Sequence, residues 1–134
     1  MAIRIDRRDR VFQLWTYTVS MSRLLLRSTK SDQFQTRVDV AFQNVQAVQL
    51  PTSLPGLVVS EAGRAETERI VKETGLLAED DYTFFSVIDS NFTGYIVASV
   101  VVSCEDSGEY YEPSQVWPGG FSGLSDPYAH LPLS

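Results

Sequence analysis

The sequence predicts an α+β domain: about seven mostly antiparallel strands in a curved sheet or open barrel, one helix over residues 64–75, and an extended C-terminal tail. Three observations carry this expectation. Short runs rich in aromatic and β-branched residues recur between polar breaks. Only one segment, Gly63 to Gly75, has helical composition and a glycine placed to end it. Beyond Cys104 the chain becomes proline- and glycine-rich and loses periodicity. The expected organisation is a basic arm over residues 1–10, a single α+β domain over 11–104, and an aromatic Pro/Gly-rich tail over 105–134. A chain of 134 residues is the size of one domain and can bury a core without metals or disulfides.

The stretch Val11 to Arg27, VFQLWTYTVSMSRLLLR, reads as two strands folded back on each other. Alternation puts Phe12, Leu14, Thr16 and Thr18 on one face and Val11, Gln13, Trp15, Tyr17 and Val19 on the other. Neither face is polar enough to be simply solvated, so material should pack on both. Ser20-Met21-Ser22 lacks the Asn-Gly of a tight turn, yet a short hairpin is still the simplest connection. In Arg23 to Ser28, Leu24 and Leu26 share one face and Arg23, Leu25 and Arg27 the other. Arg37 to Phe42 alternates most regularly, with Val38, Val40 and Phe42 inward and Arg37 and Asp39 outward.

Strands are also expected over Val45–Leu50, Leu57–Ser60, Tyr82–Ile88 and Gly94–Ser103, with PTSLPG at 51–56 as turn chemistry and Asp89 to Thr93 as a hairpin loop. The helix has a narrow apolar stripe through Ala65, Ile70 and Leu76 or Leu77, with Val71. Gly75 should close it in a left-handed cap, and the helix should cover one sheet face or plug one end.

The net charge of −6 hides a split. Residues 1–37 hold eight Lys/Arg against three Asp/Glu, and residues 38–134 hold three against fourteen. The simplest reading is that basic strands sit beside acidic partners and neutralise them in the fold. An acidic whole repels a phosphate backbone, so nucleic acid is not an expected partner. An RNA-binding sheet using Arg4 to Arg10 is one alternative reading. No apolar run reaches the roughly 18 residues of a membrane helix, and no apolar segment follows MAIRIDRRDR as a secretory signal requires. With a lone Cys104, a cytoplasmic location and no membrane partner are the expectations.

Motifs for chemistry fail on inspection. Asp89-x-Asn91-x-Thr93-Gly94 matches the first half of a calcium loop, but Val100 stands where a bidentate carboxylate is required. Gly120-Phe121-Ser122-Gly123 lacks the glycine two residues after the serine of a nucleophile elbow. Cys104 and His130 would need the tail to fold back before they could act as a nucleophile–base pair. No metal, cofactor or catalytic residue is therefore expected, and the balance leans against an enzyme without deciding it. The candidate ligand-binding residues are Trp15, Tyr17, Arg23 and Arg27, at the mouth of a curved sheet.

The runs Phe12–Ser28, Val38–Phe42 and Leu50–Leu57 resemble a set of small bacterial proteins with no assigned function. The resemblance covers about the first sixty residues, implies a bacterial origin, and carries no site residue. The function expected is a small binding or interaction domain. It should self-associate as a homodimer, with Tyr110, Tyr111 and Trp117 of the tail crossing the interface. The alternatives are a toxin-neutralising (immunity) protein, whose acidic surface would mask a basic groove, and a small-ligand-binding sheet or enzyme.

Overall fold

A computed structural model describes residues 3–77 and 81–108. Ten strands and one α-helix follow in chain order: β1 (Ile3–Asp6), β2 (Val11–Thr18), β3 (Arg23–Ser28), β4 (Arg37–Gln43), β5 (Ala47–Gln49), β6 (Ser53–Pro55), β7 (Val58–Glu61), α1 (Arg64–Thr74), β8 (Thr83–Ile88), β9 (Thr93–Ala98) and β10 (Val100–Asp106). They build two antiparallel five-stranded sheets that do not close into a barrel. One sheet has the order β1-β7-β8-β9-β5, the other β10-β4-β3-β2-β6. They are called here the first and second sheets.

The α+β class is as expected, with more strands than the seven anticipated. The arm contributes β1, which pairs with β7, and the proline-bounded turn segment contains β6, which pairs with β2. The apolar run Gly94–Ser103 is divided at Ser99, where the chain passes from the first sheet to the second. Three hydrogen bonds pin that corner. The Ser99 amide donates to Gln43 O at 2.9 Å, its hydroxyl donates to Asp81 O at 2.6 Å, and Asn44 Nδ2 donates to Ser99 Oγ at 2.7 Å. Pairing in β10 continues through Asp106, two residues beyond the boundary expected at Cys104.

The inner faces of the two sheets share one apolar core. It joins Phe12, Leu24, Leu26, Val38, Val40 and Phe42 of the second sheet with Val59, Phe85, Val87, Ile96 and Ala98 of the first. Phe42 and Phe85 meet edge to face across it, with ring centroids 5.8 Å apart. The space between the two sheets is thus filled by side chains.

Helix α1 covers the outer face of the first sheet. Ile70, fully buried, joins Phe84, Tyr95 and Val97, with Val71 and Leu76 beside them. Gly75 closes the helix at φ 76°, its amide donating to Val71 O at 2.8 Å. Glu68 faces Arg64 at 3.5 Å.

The charge asymmetry resolves as pairing across the fold. Arg4 donates to Glu61, Arg7 to Glu105 at 2.8 Å, and Arg37 to Asp106 at 2.7 Å. Three basic residues of the first 37 are thereby matched to acids of the later, acidic part of the chain.

Candidate functional site

The outer face of the second sheet gathers the groups of most chemical interest. β3 and β4 are cross-strand neighbours with Arg27 opposite Asp39. Alternation turns both away from the core, yet Arg27 is 2% exposed and Asp39 fully buried. Arg27 Nε and Nη2 donate to Oδ1 and Oδ2 of Asp39 at 2.7 and 3.0 Å, a bidentate pair. The Trp15 ring stands 5.2 Å from the Arg27 guanidinium. Trp15 also packs on Leu25 and Ala41, with Val102 and Cys104 of β10 on the same patch. β2 carries Trp15 as an extra residue, because its register against β3 shifts between Leu14 and Thr16. That bulge gives the indole its position.

A cleft of about 390 Å³ opens at one end of this face, beside the loop that follows β3. Arg27, Gln13, Ser28, Ser31, Gln33 and Phe34 contribute to its lining. Its volume falls within the range of small-molecule sites. The Arg27 charge is matched by Asp39, so the remaining polar lining is neutral amide and hydroxyl. Behind the wall, the Arg10 guanidinium lies 3.8 Å from the Phe34 ring centroid and donates to Thr36 O and Oγ1 at 3.0 and 2.7 Å.

Of the four residues expected to bind a ligand, Arg27 alone lines the cleft. Trp15 stacks beside it, Tyr17 is exposed further along β2, and Arg23 is half-buried at the start of β3. The four do not converge on one mouth. Gln13, Ser31 and Gln33 were not singled out from the sequence. The loop holding the last two shows only polar character there, and its shape comes from reciprocal amide–carbonyl bonds between Ser31 and Phe34 at 3.0 and 3.2 Å.

The other end of the second sheet carries strained backbone. The β2–β3 turn holds Met21 at φ 66° and Ser22 at φ 45°, and Asn44 nearby is at φ 54°. The Ser22 carbonyl accepts from the Val45 amide at 3.0 Å. At the tip of this turn Val19 is 83% and Met21 61% exposed.

The half-calcium loop is a hairpin turn. The Asn91 amide donates to Asp89 Oδ1 at 2.6 Å and the Asp89 amide to Phe92 O at 3.0 Å. Among the described residues no cluster of three or more His, Cys, Asp or Glu is placed to hold a metal. No described helix is long and apolar enough to cross a membrane. Burial, with the Asp106 and Asp39 charges, pushes the Cys104 thiol up. His130, Ser122 and the tail aromatics Tyr110, Tyr111 and Trp117 lie outside the described residues.

Glu105 knots the arm to β10. It accepts from Arg7 at 2.8 Å and from the Thr36 hydroxyl at 2.6 Å, with Arg10 Nη2 at 3.4 Å. The Arg7 and Thr36 bonds hold its carboxyl below the usual 4.5, against a smaller opposing effect of burial. A carboxylate depressed in the fold stabilises it above the unfolded value and loses that contribution as pH falls through the folded one. Stability should therefore decline as pH drops below about 4.5. Glu105→Gln should flatten that acid limb while leaving the neutral region's slope unchanged. Denaturant midpoints from pH 3 to 7 test this, and parallel profiles for the two proteins would refute it.

Comparison of the chain with protein-family models, with curated proteins and with solved structures finds no match.

Proposed function

We propose that the chain is a small non-enzymatic interaction domain that presents the β2–β3 tip to a protein partner and self-associates. The observation that carries this reading is the tip itself. Two large apolar side chains, Val19 and Met21, point to solvent from a turn that holds two non-glycine residues at positive φ. Such backbone costs of order 1 kcal/mol per residue, and it is retained where a surface has work to do. A turn built only to join β2 to β3 would be relieved by glycine and polar residues. The tail aromatics Tyr110, Tyr111 and Trp117 are proposed to add apolar contact to the assembly between copies.

Met21→Gly should raise the thermal midpoint by a few degrees, through removal of about 1 kcal/mol of left-handed strain. A photo-crosslinking residue at Met21 in the native host should give a discrete product, absent when it stands at Ser90 at the opposite hairpin. Equal labelling at the two positions would defeat the tip reading. Light scattering on a chain cut after Glu109 tests the tail: a dimer of unchanged affinity would show that it is not the clasp.

A second reading is favoured by the cleft. Its neutral amide and hydroxyl lining beside Phe34 suits a small uncharged hydrogen-bonding molecule. Titration with simple polyols, followed by the Gln13 and Gln33 side-chain amide resonances, distinguishes it; unmoved resonances at high millimolar ligand count against it.

A further inference from the structure

Among the described residues the two open sheets leave four edges, and open edges are sites where another strand can add. Three of them are blunted. β1 is four residues long, carries Arg4 and Asp6, and is irregular between Ile3 and Ile5. β5 has three residues. β6 has three and ends on Pro55. Short length, charge, bulges and proline are the devices by which natural sheets avoid edge-to-edge pairing.

β10 has none of these features along its first half. It is seven residues long and pairs with β4 without a shift, from Val100 opposite Gln43 to Asp106 opposite Arg37. It begins Val100-Val101-Val102 and contains neither lysine nor proline. No strand lies on its outer side among the described residues. Residues 107 and 108, which follow β10, add no strand along this edge. Gly108 sits against the Arg37 side chain of β4, so closely that a Cβ there would fall 2.5 Å from the guanidinium carbon. Its amide donates to Asp106 Oδ1 at 2.7 Å. Residue 108 is thus packed against the same Arg37 guanidinium that bonds Asp106.

We infer that the β10 edge is the seam between two copies of this chain, paired antiparallel about a twofold axis near Ser103. The inference rests on the self-association reading and names its interface. The uneven placing of the acids along β10 sets the direction of pairing. Glu105 and Asp106 are the only charged residues of β10, and each is already held by arginines of its own subunit: Glu105 by Arg7, Asp106 by Arg37. Antiparallel pairing sets the acidic end of one strand against the Val100–Val102 end of the other. A parallel partner would stack acid on acid. A twofold axis gives the antiparallel arrangement by symmetry, and the same patch then serves both subunits. Main-chain hydrogen bonds along the strand supply the affinity, as when a strand is added to a sheet edge.

The test is light scattering of the full chain over a wide concentration range, with Ser103→Lys at the proposed axis and Val48→Lys on the β5 edge as control. Ser103 is exposed, so the lysine leaves the core intact. The wild type and the Val48 variant should run at twice the chain mass, and Ser103→Lys as a monomer, a loss of at least 30-fold in dimer affinity. Circular dichroism confirms that the variant is folded. Independently, Ser103→Cys in a Cys104→Ser background should be joined by a short bis-maleimide, and Val48→Cys in the same background should not. A wild-type monomer at high concentration overturns both the self-association reading and the seam. A wild-type dimer that Ser103→Lys leaves intact, with no cross-link at Ser103→Cys, overturns the seam alone.

Discussion

Asp39→Ala should destabilise the protein by about 3–5 kcal/mol, the range for removing one partner of a buried ion pair. The carboxylate is fully buried, and both its oxygens accept from Arg27, itself 2% exposed. Alanine takes away two charge-assisted bonds and leaves a guanidinium held out of water beside Trp15. Asp39→Asn keeps the shape but removes the charge, and should fall between alanine and wild type. Replacing both partners together by Met and Leu should recover much of the loss, since an apolar pair of similar volume is often neutral or better than a buried ion pair. Urea denaturation of the three variants checks the series. A cost below 1 kcal/mol for Asp39→Ala would show that the pair is not the anchor of this face.

Gly94→Ala should cost about 3 kcal/mol for a different reason. In β9 this residue directly precedes Tyr95, the partner of Gln49 at the end of β5. A Cβ would stand 2.0 Å from the Gln49 carbonyl oxygen and 2.4 Å from the Phe92 ring. The ring can turn aside, but the backbone oxygen cannot, so β5 must move away from β9. β5 is three residues long, from Ala47 to Gln49, and among the described residues pairs with no strand but β9. Overpacking of ordered structure ordinarily costs 1–3 kcal/mol, and here the loss of the β5 pairing adds to it. Hydrogen exchange at Ala47, Val48 and Gln49 should quicken more than at β7 or β8. Wild-type stability with unchanged exchange would refute the clash.

The parts of the fold set by local alternation were legible in the sequence. Val38, Val40 and Phe42 turn inward as read, Leu24 and Leu26 likewise, and the helix ends at Gly75. The parts set by distant partners were not. Arg27 could be seen to face outward, but its burial depends on Asp39 of the next strand and on an indole displaced by a bulge. The bonds from Arg37 to Asp106 and from Arg7 to Glu105 join residues 69 and 98 positions apart. Nothing local marks Ser99 as a corner, since neither glycine nor proline interrupts the run from Tyr95 to Ser103. β1 and β6 are too short for periodicity to register, and β6 ends on a proline. The cleft escaped for a related reason: its wall belongs to a polar loop shaped by two backbone bonds rather than by side-chain pattern.

The crossing at Ser99 also has a consequence for synthesis. β4 waits for its outer neighbour until β10, whose first residue follows the last of β4 by 57 positions. At roughly 5–20 residues per second, translation leaves that flank uncovered for several seconds on each nascent chain. In this interval the bare strand is β4, Arg37 to Gln43, with Arg27 and Asp39 already able to meet but Arg37 still without Asp106. A ribosome-bound intermediate truncated before Val100 should therefore be the species that chaperones hold, and release should coincide with emergence of Asp106.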